Sequence, residues 1–205
     1  MTRVIDGGCT FSCSASSPGV MAWCTSRADK AASWVSDSTA SVSPEAARWA
    51  RRRRASRLTA IRTVGGVTFV DDSLSTNVLP TLAALDAFEG RRVALIVGGH
   101  DRGIDYAPLA AGLVARAAPT LALTIPESGP RIRAQLEQAA ANGKSTPAFA
   151  GARDCPDLEA AVAAGFRWAQ PEGVVLLSPA APSFGRFRDY RDRSDAFAHA
   201  VCAIS

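Results

Sequence analysis

The chain has only two histidines, and its five cysteines, Cys9, Cys13, Cys24, Cys155 and Cys202, form no CxxC pair. That poverty of ligands argues against a structural zinc site, and the odd thiol count argues against a secreted disulfide framework. No basic leader runs into an apolar stretch, and no apolar stretch is long enough to span a bilayer. The expectation is a soluble, cytoplasmic protein with no membrane partner. A dinucleotide fingerprint is missing too. Gly98, Gly99 and Gly103 do not make GxGxxG, and they follow an internal strand rather than the first.

A P-loop is present only in part. In ANGKST (141–146), Gly143, Lys144 and Ser145 are in register, but Gln138 stands where the opening glycine is required. A P-loop also joins a strand to a helix whose N-terminus faces the phosphate, whereas a helix-like stretch precedes this motif. The segment reads as a helix C-terminus closed by Asn142 and Gly143.

Apolar residues make up 47% and charged residues 20%, ordinary values for a soluble globular protein. The formal charge is +4, yet Arg51 to Arg54 alone contribute as much as the whole excess. The basic character is therefore local, reads as a solvated helix end or linker, and gives little reason to expect a nucleic-acid partner. A patch for RNA or an acidic protein is the competing reading of those four arginines.

Residues 1–42 are rich in Ser, Ala, Gly and Cys without a period of 2 or 3.6, so little independent structure is expected there. Residues 43–56 open with Ser43 as a helix N-cap, Pro44 in the first turn and good helix formers after it. From there strands and helices alternate. Strands are expected at 66–70, 92–99, 120–125, 147–151 and 173–178, and helices at 76–88, 107–116 and 129–140. A further helix is expected to be capped by Asp154, and a last one to place Tyr190, Ser194, Phe197 and Val201 on one face. This rhythm predicts an α/β fold, a Rossmann-like, mostly parallel sheet flanked by helices.

Ligands of such sheets bind outside the carboxyl ends of the strands. Three strand ends run into polar loops, DDSLSTN (71–77), GGHDRGIDY (98–106) and SPAAPSFGRF (178–187). Their carboxylates (Asp71, Asp72), guanidinium (Arg102) and hydroxyls (Ser73, Thr76, Ser183) suit a small anionic or amino-bearing ligand. His100 reads as a loop residue, because no nucleophile or paired carboxylate is fixed by spacing.

RLT (57–59), VTFVDDSLSTN (67–77), LIVGGHDRGIDY (95–106) and VLLSPAAPSFGRFRDYRDRSDAF (175–197), in that order and spacing, resemble the C-terminal domain of the Mur ligases. They look most like the members that add glutamate to UDP-N-acetylmuramoyl-L-alanine in peptidoglycan synthesis. SPEAARWA (43–50) resembles the end of the family's central ATPase domain, leaving 57–205 as the C-terminal domain. The resemblance implies an ATP- and Mg²⁺-dependent ligase, with UDP-N-acetylmuramoyl-L-alanine, glutamate and ATP as substrates. ATP phosphorylates a carboxylate and the incoming amine displaces phosphate, and the C-terminal domain closes over the reaction to position the amino acid.

Carried over by residue, the resemblance implies that Arg57 and Asp72 contact ATP. Thr76 lies near the amino-acid pocket, and Arg102, where the glutamate-adding members usually have Lys, pairs with a carboxylate of glutamate. Ser183 and Phe184 take the other carboxylate, and Tyr190 forms a wall. No catalytic or metal-binding residue is implied within this segment. Ser56 replaces a usual His, Leu74 a Lys of the DSKATN form, and SPAAPS replaces SPACAS; D- and L-glutamate are not distinguished. Forty-two residues cannot build the two preceding domains of such a ligase, so a truncated chain, inactive alone, is expected. It would work, if at all, with an ATPase domain supplied in trans. The alternative is a non-catalytic nucleotide- or amino-acid-binding module on the same fold.

Overall fold

A computed structural model describes residues 58–204. The expected helix at Ser43, the arginine run, Arg57 and the assignments for 1–42 and 43–56 lie outside the described residues.

The described chain opens with a hairpin that the reading above omits. Strands β1 (Thr59–Val64) and β2 (Val67–Asp71) pair antiparallel. Gly65 and Gly66 join them at φ of 53° and 82°. A two-residue turn of the type that matches strand twist needs positive φ at both positions, which glycine adopts without a steric penalty. The chain then alternates: α1 (Val78–Asp86), β3 (Val93–Val97), α2 (Ala107–Val114), β4 (Thr120–Thr124), α3 (Gly129–Ala139), β5 (Phe149–Asp154), α4 (Leu158–Ala169), β6 (Val174–Leu177) and α5 (Tyr190–Cys202). The sheet order is β1-β2-β6-β3-β4-β5, and every pair except β1 with β2 is parallel. The expected α/β architecture is what forms.

Strands β3, β4 and β6 are buried along their whole length, as a sheet covered on both faces requires. The period of 2 sorts their side chains into two layers. Val93, Leu95 and Val97 pack with α1, α2 and α3, whereas Ala94 and Ile96 pack with α4 and α5. Burial of each such aliphatic side chain contributes about 1.5–3 kcal/mol.

Helix starts follow side-chain capping. Asn77 accepts from the Val78 N–H at 2.7 Å and caps α1. Asp154 does not cap α4. It ends β5 and accepts from the Thr124 hydroxyl and from Arg133, while Asp157 accepts the Ala160 N–H at 2.7 Å and caps the helix. The expected stripe on α5 is also corrected: Arg193, Phe197, Ala200 and Val201 are the buried positions, and Tyr190 and Ser194 are partly exposed. Beyond α3 the chain makes one wide turn over Ala140–Lys144, with Gly143 at φ 73°. The NGKS segment thus ends a helix rather than opening one, the geometry opposite to a phosphate loop.

Candidate functional site

Four loops meet at the carboxyl edge of the sheet: 72–77 after β2, 178–189 after β6, 98–106 after β3, and 125–128 after β4. The 178–189 loop is central, because β6 lies between β2 and β3. Backbone hydrogen bonds tie it to both neighbours. Ala180 N–H donates to Ser75 O (3.0 Å), Gly98 N–H to Pro179 O (2.8 Å) and His100 N–H to Pro182 O (2.9 Å). The 125–128 loop joins through Glu127 and Ser128 N–H, both donating to Gly99 O (3.3 and 2.9 Å). This close approach explains the glycine pair. A Cβ at Gly98 would sit 2.3 Å from Ile125 O and one at Gly99 2.4 Å from Pro182 O, with φ of 122° and 146°.

The two aspartates ending β2 serve separate clusters. Asp71 accepts from Ser73 N–H (3.0 Å), Ser73 Oγ (2.7 Å) and Ser194 Oγ (2.6 Å). Asp72 is buried and accepts from the Ser75 and Ser178 hydroxyls, with Thr81 Oγ1 a further 3.0 Å from Ser178 Oγ. Such bonds satisfy a carboxylate that would be costly to bury bare. Among the described residues no group of three His, Cys, Asp or Glu side chains gathers to hold a metal. Mg²⁺ seeks near-octahedral oxygen ligation, and these carboxylates, engaged by serines, do not fit it.

Arg193, absent from the sequence reading, is wholly buried beneath the site. It donates to Ser73 O (2.8 Å) from one side and Ala181 O (3.1 Å) from the other, fixing the spacing of two site loops. Burial lowers its guanidinium pKa to about 10, opposed by the nearby Asp71 carboxylate. A signal for it exists in the sequence: Arg193, Phe197, Ala200 and Val201 follow i, i+4, i+7 and i+8, so the apolar stripe extended backwards lands on an arginine.

The carried-over residues fall into two groups. Arg102 and Phe184 meet, the guanidinium carbon lying 5.6 Å from the centroid of a ring that is 53% exposed. Ser183, next to them, is buried, and its carbonyl accepts the Phe187 N–H at 3.2 Å to close the turn. Tyr190 lies elsewhere, in a cleft of about 300 Å³ on the β2 side, with Asp71, Leu74, Ser194 and Asp195 among its lining residues. Thr76 is exposed just ahead of α1. His100 and Glu127 form a pair beside the first group, Nδ1 to Oε2 at 3.0 Å.

Three buried polar atoms lack a well-formed hydrogen bond among the described residues, Tyr106 Oη, Ser128 Oγ and Arg193 Nε, but the first two face each other as a hydroxyl pair, which leaves Arg193 Nε as the one with no partner of the three. All three belong to the starts of α2, α3 and α5, at this same edge. Burial pushes the Tyr106 phenol above its ordinary range.

Residues 56–181 match the profile of the family described as Mur ligase, glutamate ligase domain. The chain belongs to the Mur ligase family. It is 48% identical over 147 residues to a UDP-N-acetylmuramoyl-L-alanine--L-glutamate ligase of Micromonospora sp., covering 72% of this chain and 30% of that protein. The protein of the same description from Xanthomonas euvesicatoria pv. vesicatoria is 44% identical over 160 residues, 78% of this chain and 32% of that one. The chain thus spans about a third of the length of these Mur ligase relatives. A murein peptide ligase structure from Psychrobacter arcticus aligns with 14% identity and a TM-score of 0.49, over 73% of this chain and 30% of that one. The family match covers the first two strand-end loops and stops at 181, just short of Ser183.

Proposed function

We propose that this chain is the glutamate-holding C-terminal part of an ATP-dependent ligase that joins L-glutamate to UDP-N-acetylmuramoyl-L-alanine in peptidoglycan synthesis, acting in the cytoplasm. The observation that carries the reading is the meeting of Arg102 with Phe184 beside Ser183, at the carboxyl edge of a parallel sheet, in a chain of this family. The choice of L-glutamate is supported by the substrate in the relatives' names.

In this reading the Arg102 guanidinium takes one carboxylate of glutamate as a charge-assisted clamp. The Ser183 hydroxyl and the backbone at Phe184 take the other, and Tyr190 and Thr76 bound the approach from the β2 side. Asp72 orders the nucleotide-facing loop, and Arg57 stands ahead of β1 on the chain. ATP with Mg²⁺ supplies the carboxyl activation, held chiefly by an ATPase domain outside residues 57–205. The contribution of this chain is to hold the amine in position for attack, a matter of proximity and orientation.

Calorimetry with L- and D-glutamate tests the reading. The L isomer is expected to bind, the D isomer to bind more weakly, and Ser183→Ala or Arg102→Ala to lower L-glutamate affinity about tenfold or more, the scale of a lost charge-assisted bond. Absence of binding by either isomer would sink it. Phosphate release from ATP with UDP-N-acetylmuramoyl-L-alanine and L-glutamate is expected to stay at background for this chain alone, and turnover would overturn the division of labour.

A further inference from the structure

Glutamate arrives as two carboxylates and one ammonium, and the groups assigned so far deal only with the carboxylates. A pocket made of Arg102, Ser183 and Phe184 alone would hold glutarate as well as glutamate. Something at this edge has to read the amine.

Glu127 is placed to do so. Arg102 packs on Phe184, and Glu127 packs on the next residue, where a Cβ added to Gly185 would lie 2.5 Å from Oε1. A guanidinium and a carboxylate therefore meet one turn at adjacent residues, an arrangement suited to a zwitterion. The carboxylate is oriented: Oε2 accepts from His100 Nδ1–H at 3.0 Å, while Oε1 accepts no hydrogen bond from any described residue. Both side chains remain accessible, at 42% for His100 and 43% for Glu127. Their pairing is surplus to holding the loops together. Backbone bonds already do that, from Glu127 and Ser128 N–H to Gly99 O and from His100 N–H to Pro182 O. An exposed polar pair of this kind adds little beyond them.

We propose that Glu127 Oε1 accepts the ammonium group of the incoming amino acid, with His100 a positioning residue that fixes the carboxylate through Oε2. Glu127 is then a specificity determinant, selecting amino acids over amine-free dicarboxylates. The inference rests on the glutamate reading of the site.

The test is calorimetric titration of the full chain with L-glutamate and with glutarate, which has the same two carboxylates and no amine. The wild-type chain is expected to prefer L-glutamate about tenfold or more, the scale of a charge-assisted hydrogen bond. Glu127→Gln is expected to bring the ratio to about one, by weakening L-glutamate and sparing glutarate; His100→Gln, which leaves the charge but frees its orientation, is expected to fall between. A wild-type chain that binds both equally overturns this inference and leaves the glutamate reading standing. So does a Glu127→Gln variant that loses both ligands in parallel, the signature of a purely structural role. A wild-type chain that binds neither sinks both. The wild-type comparison needs no variant to fold.

Discussion

Arg116 and Arg193 have the same task at opposite edges of the sheet, and they complete it to different degrees. Arg116, at the amino edge, donates to Phe88 O, Arg91 O (3.0 Å), Ala118 O (3.2 Å), Pro119 O (3.4 Å) and Thr120 Oγ1 (2.7 Å). Arg91 and Arg92 beside it hold the carbonyls of Trp168, Gln170 and Glu172. Arg193, at the carboxyl edge, reaches two carbonyls and leaves Nε without a partner among the described residues. A buried donor without a partner is costly and uncommon in native structures, so its place beneath the site loops carries information. At the amino edge the arginines tie carbonyls of several loops together, while at the carboxyl edge Arg193 holds two site loops at a fixed spacing with one donor left over.

The largest effect on stability is therefore expected at the amino edge. Replacing Arg116 by Met keeps side-chain volume but removes all five of its hydrogen bonds, leaving Arg91 O without a donor while Phe88 O, Ala118 O and Pro119 O keep others, at a cost of about 3 kcal/mol. Burial holds the Arg116 guanidinium below its ordinary pKa, which marks a desolvation cost that the substitution also removes and keeps the loss from being larger. Urea denaturation should show the loss, and L-glutamate binding should be unchanged. A binding defect at Arg116→Met would erase the division between the edges.

Arg193→Met is expected to show the opposite profile. Two hydrogen bonds are lost rather than five, and removing a buried charge whose pKa is depressed to about 10 offsets part of the cost of the two carbonyls left without donors, so the stability cost is about 1–2 kcal/mol. The effect on binding is larger. Without the guanidinium, Ser73 and Ala181 lose their common anchor, and L-glutamate affinity should fall about tenfold while the chain still unfolds cooperatively. Full affinity in the variant would show that the loop spacing is set elsewhere.

The same contrast governs what could be read in the sequence. Strands β2 to β6 were legible because buried strands and glycine-ended runs signal themselves, and the location of the site followed from the parallel sheet. Strand β1 was legible in principle: TAIRTV and VTFVD flank two glycines, the signature of a tight hairpin. Arg102 is legible in the loop after β3, its role and Phe184 come from the resemblance, and the fold brings the two together. Arg193 was missed because burial of an arginine has no local signature apart from its place in an apolar stripe. Glu127 was missed because its loop, PESG (126–129), follows β4 without the density of polar residues that marked the other three. Asp154 was misread because capping and strand-ending aspartates look alike until the partners across β4 are known.

Asp154 sharpens the comparison by separating edge from completeness. It lies at the carboxyl end of β5, away from the central loop, yet it is fully partnered by Thr124 and Arg133. The Thr124 hydroxyl, with Arg133 helping, holds its carboxyl below the ordinary value of 3.8, against a smaller opposing effect of burial. A carboxyl depressed in the folded state contributes stability that is present above its unfolded value and is lost as pH falls through the folded one. Asp154→Asn should therefore lower the melting temperature slightly at neutral pH, and the gap from wild type should close below about pH 4. Since the side chain is 51% exposed, the shift should be no more than a few degrees. Glutamate binding should not change at either pH. A binding defect would mean that position at the carboxyl edge, rather than an incomplete set of partners, marks a residue as part of the site.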